Sequence, residues 1–528
     1  MHSYKVIPLL LALAISCGDE TPRPEPVIPD PPAPSLGSGC DILSMKIKAG
    51  DFDLRTEIDT ENWGVTIYCY EEDEEFLSEA TCELELSEGA RVEPDPSVAR
   101  NYNRKLTFVV TAADGSEAIY VVKKQVLERP SRPRKPVVMW IDSENSMFTL
   151  DTKEKIADAV MHAYNCGFSG IVMDIKSPAS GDVLYRSDFL GYCPRLKKTD
   201  VPQDFDMLQE LIDRCRERGM TISASVSIMT MPRPATEKGQ AYFDENLASS
   251  LAKCYLPEVG IIDQKDDPSK AYDFLNPSSP KVHDYVIRMV TELATKYDLD
   301  GIALDYCRYP DMFSDFSDVS RAAFEEYIGA PVENFPEDIM VFPGTEKGQY
   351  AMGKLFKQWI KWRASVIQGY VRDCRDAIKA VNPSIKLEYW SEAWWWDSWM
   401  KGQNWASSKA GKPSGNAWAA DDYMDTAFAE YLDIYHLGAY VSKVYGLGEL
   451  YTIEFLLNYG KQRNAGACTL YASFGAYNAN LNWTDATEFC YMNAEGVMIF
   501  ELGSVRNRWG VYKKAIWKAM RKMGEYDD

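Results

Sequence analysis

Acidic side chains recur where apolar runs end. VVMWID ends at Asp142, GIVMDIKS carries Asp174 and Lys176, and LDGIALDYCRYP (299–310) sets Asp305, Arg308 and Tyr309 directly behind a buried-looking run. LEYWSEA places Glu388, Trp390 and Glu392 two apart, so these three share one face of a strand. Trp394 and Trp395 follow; DIYHLGAYV adds His436 and Tyr440, and GVMIFELGSV adds Glu501. Paired carboxylates can protonate a departing oxygen and attack carbon or activate water, which is what cleavage of a glycosidic bond requires. Aromatic faces stack on apolar C–H surface, such as one face of a sugar ring. One acidic residue behind a strand equally suits a helix N-cap. Several of them end different runs, and that coincidence points to a site.

Metal chemistry has little support. The four histidines stand at 2, 162, 283 and 436, without an HxH or HExxH pairing, and the twelve cysteines form no CxxC. No metal and no cofactor is expected. The net charge of -22 argues against nucleic acid, because phosphate contacts need clustered Lys and Arg. The expected partner is a carbohydrate, met by a monomer. The cysteines read as buried thiols, with a Cys69–Cys82 bridge left open.

The elements that must position these side chains alternate in kind. Eight candidate strands lie at 137–142, 170–177, 220–228, 299–306, 385–393, 433–441, 467–476 and 496–505. Helical spacing fills the gaps: 151–167, with Asp151 and Glu154 as an N-cap pair and Gly167 as the stop, then 204–218, 281–297 and 352–381. Near-continuous apolar strands separated by helices imply a parallel sheet covered on both faces. Eight such units predict an α/β fold, a (β/α)8 TIM barrel over 136–526, with the excess over about 250 residues in loops. The long insertions at 178–203, 229–280, 306–350 and 394–430 all follow C-terminal strand ends, the face where barrel sites are built.

The first part of the chain differs. Residues 1–16 read as a signal peptide, with Lys5 ahead of an apolar stretch too short to span a membrane. Residues 17–39 are Cys17 and a Pro-rich spacer. Residues 40–128 alternate in short runs between Gly, Asp, Asn and Pro, which predicts a small all-β sandwich with a hairpin at Asp114-Gly115. ERPSRPRKP (128–136) links it to the barrel.

Several stretches resemble known families. Ala14-Ile15-Ser16-Cys17 resembles a bacterial lipobox, which implies lipidation of Cys17. Gly18-Asp19-Glu20 resembles the surface-export signal of Bacteroidetes lipoproteins, which implies a lipid anchor in the outer membrane, exposed at the cell surface. Residues 40–127 resemble the immunoglobulin-like modules in front of surface glycan proteins. LDGIALDYCRYP resembles the "DGI-x-x-D-x-x-RYP" strand of the family-10-like glycoside hydrolases, glycosidase-like barrels distantly related to the alpha-amylase superfamily. GFSGIVMDIKSPASGDVLYRS and DIYHLGAYV resemble their second strand and a strand ending in Tyr, over roughly 136–525. The resemblance implies a glycoside hydrolase of polysaccharide utilisation, with Asp305 as nucleophile or oxocarbenium stabiliser and Arg308 and Tyr309 orienting it. It implies Glu392 as acid/base, with Glu388 second. The remaining substrate contacts fall to Asp142, Asp174, Lys176, Trp390, Trp394, Trp395, His436, Tyr440 and Glu501. Tyr306 and Cys307 stand where many members carry a second polar or acidic residue. A silent glycan-binding lipoprotein with the same aromatic cleft is the alternative.

Overall fold

The computed structural model describes residues 37–130, 132–179, 181, 183–191, 205–232, 244–267, 269–412 and 416–526. The signal, Cys17 and most of the Pro-rich spacer lie outside the described residues. The chain divides into two compact units, 1–128 and 129–528.

The first unit is all β apart from one short helical stretch. Phe52–Asp53, Ile42–Ala49 and Cys82–Leu86 form one sheet; a second holds Thr56–Asp59, Gly64–Cys69, Glu117–Val126, Leu106–Thr111 and Arg91–Glu93, in that order. Leu106–Thr111 and Glu117–Val126 make the hairpin, with Thr111 opposite Glu117 across Asp114-Gly115. Alternate residues of both sheets, among them Ile47, Val65, Ile67, Phe108, Tyr120 and Val122, close on one core. Cys69 and Cys82 are both buried and not joined by a disulfide, and the Tyr102 hydroxyl donates to Cys82 Sγ at 3.1 Å.

The second unit is the expected barrel. Its eight parallel strands are β1 (Val137–Ile141), β2 (Gly170–Lys176), β3 (Thr221–Ser227), β4 (Gly301–Asp305), β5 (Lys386–Glu392), β6 (Ile434–Gly438), β7 (Thr469–Gly475) and β8 (Gly496–Phe500), and β8 closes on β1. Most of these residues are buried, because helices cover the outer face while side chains fill the interior. Val138, Trp140, Val172, Ala303, Ile434, Tyr471 and Met498 pack inside the ring. The period of two therefore carries Asp174, Asp305 and Glu392 inward at the C-terminal ends, above that apolar layer.

Helices fall where the spacing placed them: Lys153–Asn165, Met207–Glu217, Pro280–Lys296 and Phe356–Val381. One cap differs. Thr152, not Asp151, caps the first of these by accepting from Lys155 N, while Asp151 pairs with Lys155 Nζ at 2.5 Å. The shorter threonine reaches the free N–H of the first turn, and the aspartate one residue earlier is left to the lysine.

Candidate active site

Carboxylates from β1, β2 and β4 meet at the barrel mouth. Asp174, the second-last inward residue of β2, accepts from Trp140 Nε1 at 2.9 Å. Asp305, the last residue of β4, accepts from its neighbour Tyr306 N at 2.7 Å. The chain then turns through Tyr306 in the left-handed region at φ 49°, a conformation that costs a non-glycine residue energy and is kept where surroundings enforce it. Tyr306 is held by a hydroxyl bond from Tyr272 at 2.8 Å.

Burial sets the electrostatics. It raises the Asp305 carboxyl to about 7, against the opposing Tyr306 N–H and the Arg308 charge, and Asp142 adds to the rise. Burial likewise lifts Asp174 well above the carboxylate range, reinforced by the charges of Asp305 and Asp142. Two buried carboxyls that repel each other cannot both ionise cheaply, so such a pair holds on to a proton. Asp142 and Glu501 are also raised, mainly by burial. Both are helix caps: Asp142 accepts from Asn145 N at 2.9 Å, and Glu501 from Gly503 N at 2.8 Å and Ser504 N at 3.1 Å. Asp142 adds negative charge beside the pair, and it also raises Glu501.

A second group lies at the end of the neighbouring strand β5. Glu392 is half-buried, with Oε2 2.5 Å from Lys401 Nζ. Burial, then the Arg308 charge, pushes Lys401 down, while Glu392 opposes the fall. Arg308 donates to the carbonyls of Tyr309 and Pro310 at 3.3 and 3.2 Å and lies over the rings of Phe274 and Tyr306 at 5.2 and 5.0 Å. Its charge thus acts on Asp305 and on Lys401 at once.

Aromatic rings complete the mouth. Trp390 lies 5.5 Å from Tyr440, and Tyr440 lies 5.6 Å from Phe500 and 6.1 Å from Tyr477. Tyr440 feels the charges of Asp305 and Asp174, which puts these rings beside the carboxylates. Gly438 makes room: a β-carbon there would lie 2.8 Å from Trp390 Cζ2. Trp394 stands edge-on to Tyr451 at 6.3 Å.

Five of the expected residues sit elsewhere or do something else. Glu388 and His436 are inside the barrel, not at its mouth. His436 Nε2 lies 2.7 Å from Glu388 Oε2, and Ser223 Oγ donates to Glu388 Oε1 at 2.6 Å. Glu388 lines a cavity of about 240 Å³ with Val138, Val172, Ser223, Ile434 and Tyr471, toward the N-terminal strand ends. Tyr309 does not orient Asp305: it is buried under the Arg363 guanidinium at 4.3 Å, its hydroxyl 2.9 Å from Ser278 Oγ. Trp395 is packed in its loop, donating to Asn404 Oδ1 at 3.0 Å. Lys176 is buried and donates to the carbonyls of Ser227 and Thr230 at 2.6 and 2.7 Å, and burial pushes it down to about 7. It clamps the end of β3.

Sequence reasoning missed Lys401, Phe500 and Tyr477, and gave Tyr306 no role in the site. Phe500 had a signal, since it shares the inward parity of Met498 on β8. Lys401 had none. Among the described residues, no three His, Cys, Asp or Glu side chains are grouped to hold a metal ion.

The family model for glycosyl hydrolase-like 10 matches residues 137–413. An S-layer-related protein of Niallia circulans is 26% identical over 404 residues, covering 72% of this chain and 24% of the relative. The glycosyl hydrolase DigH of Escherichia coli (strain K12) is 22% identical over 245 residues, covering 44% of this chain and 46% of the relative. The chain therefore spans less than half the length of either relative. Among solved structures, the PgaB (BpsB) glycoside hydrolase domain of Bordetella bronchiseptica aligns with a TM-score of 0.50 at 13% identity, over 74% of this chain and 99% of that one. That likeness is one of fold.

Proposed function

Because the chain belongs to the glycosyl hydrolase-like 10 family, we propose that its barrel hydrolyses glycosidic bonds at the mouth between Asp305 and Glu392. The observation that carries this reading is the buried Asp174–Asp305 pair, raised in pKa and facing a wall of aromatic rings. Perturbed carboxyls of this kind concentrate at catalytic sites.

The roles follow from the surroundings. Asp174, the more buried of the two, holds the shared proton and leaves the charge on Asp305. Asp305 then attacks the anomeric carbon or stabilises the oxocarbenium ion, with the nearby Arg308 favouring its charged form, and water afterwards takes the glycosyl group and returns a proton to the Glu392–Lys401 pair. The glycosidic oxygen leaves with a proton from the Glu392–Lys401 pair. Burial, and then the Arg308 charge, pushes Lys401 down, which favours release of its proton. Trp390 and Tyr440 stack on the sugar, and the bond cleaved lies between them and the carboxylates.

We further propose that the enzyme acts at the outer surface, tethered through Cys17. The support is the signal-like run of residues 1–16 and the acidic residues after Cys17. The test is reducing-sugar release from a panel of α- and β-linked polysaccharides, with Asp305→Asn run beside the native chain. Release that disappears in the variant is expected. Release that survives removes Asp305 from the chemistry. Binding without any release favours the silent glycan binder.

A further inference from the structure

We propose that residues 441–452, the segment after β6, form an outer platform that grips a polysaccharide chain beyond the bond being cut. The inference rests on the glycosidase reading and deepens it, by making the substrate a polymer of uncharged sugars.

The segment reads VSKVYGLGELYT; Val444 is buried and anchors it, while four other apolar side chains point out. Tyr445, Leu447, Leu450 and Tyr451 are each more than half exposed. Soluble surfaces scatter such residues singly; four within seven positions make a patch, and patches mark binding surfaces. The exposure is built, not loose. Buried Thr452 donates from Oγ1 to the Gly446 carbonyl at 2.9 Å, and Gly446 N donates to Glu454 Oε2 at 2.8 Å. Ile453 N and Glu454 N bond back to the carbonyls of Lys443 and Val444. Gly446 itself sits at φ 135°, which few other residues adopt. A platform fixed in this way loses little entropy when it binds.

Continuity names the occupant. From the carboxylates the rings run through Tyr440 to exposed Tyr477 at 6.1 Å, while Trp394, two residues beyond Glu392, meets Tyr451 at 6.3 Å. A sugar chain leaving the mouth past Glu392 would meet C–H-stacking surface at Trp394 and then at Tyr451. Charge excludes the main rival. Lys443 and Glu449 neutralise each other at 2.8 Å, whereas an anionic lipid surface would call for unpaired cations.

The test is binding by the whole chain, measured by isothermal titration and affinity electrophoresis with gluco-, xylo- and chito-oligosaccharides, each as the disaccharide and the hexasaccharide. Replacement of Tyr451 by Ala should lower the ratio of long-chain to short-chain affinity about tenfold, the scale of one aromatic contact. Tyr451→Phe keeps the ring and should hold the native ratio, which separates lost stacking from lost folding. If the ratio is unchanged in Tyr451→Ala, or long and short ligands weaken alike, the platform is refuted. If the native chain cleaves nothing yet the ratio falls, the platform stands and the hydrolase reading fails. Binding to phosphatidylglycerol vesicles that Tyr451→Ala abolishes, with glycan affinity intact, would overturn the assignment to a sugar.

Discussion

Asp305→Asn should abolish turnover and yet make the protein harder to melt in alkali. Burial takes this carboxyl from 3.8 to about 7. A raised carboxyl favours the folded state only while it carries its proton. That contribution is complete below about pH 4, falls as pH climbs, and is gone above about pH 7. The span is worth about 4 kcal/mol between the two limits. Asparagine stays neutral throughout and so escapes the loss. For a barrel of this length the unfolding entropy converts about 4 kcal/mol into about 5 °C. Thermal unfolding of both chains, followed by circular dichroism at about pH 5 and about pH 8, should give a difference that opens with pH. Removing the Asp305 charge also relieves Asp174, which works in the same direction. A difference that stays flat, or an asparagine chain that melts earlier at high pH, would mean that Arg308 and the Tyr306 N–H outweigh burial. The ionic form would then be the stabilised one, and the reasoning about the pair would be wrong.

Other expectations follow from the same contacts. The acid limb of kcat/KM should fall near pH 7, set by Asp305, and Arg308→Met should move it upward, because the guanidinium holds that carboxyl down. Glu392→Gln should cost about 10²–10⁴ in kcat on substrates with poor leaving groups and far less on aryl glycosides, whose departing oxygen needs no proton; equal losses on both would remove Glu392 from the acid role. Gly301→Ala places a β-carbon 2.0 Å from Glu388 Oε1 and should destabilise by about 3 kcal/mol in denaturant titration. Glu388→Gln should lower the melting temperature while leaving turnover in place, since Glu388 bonds to Ser223 and His436 inside the barrel.

The barrel was legible because each strand is a short run of apolar residues, with helical spacing between, and that signal survives without tertiary context. The mouth was legible only by parity. Two residues apart means one face, so Glu388, Trp390 and Glu392 do point the same way. Parity carries no depth. Four residues along a strand is about 13 Å, enough to set Glu392 at the rim and Glu388 within the interior against His436. The segment behind β4 failed for a different reason. Tyr306 takes a left-handed turn, so adjacent Arg308 and Tyr309 part company, one acting on Asp305 and the other packing beneath Arg363. Lys401 stands nine residues past Glu392 in a segment with no period at all, and only the folded chain brings it to the carboxylate. It follows that sequence can nominate the carboxyl groups of such a barrel but not their protonation. What lifts Asp305 is burial and what holds it back is Arg308, and both belong to how the loops close over the strand ends.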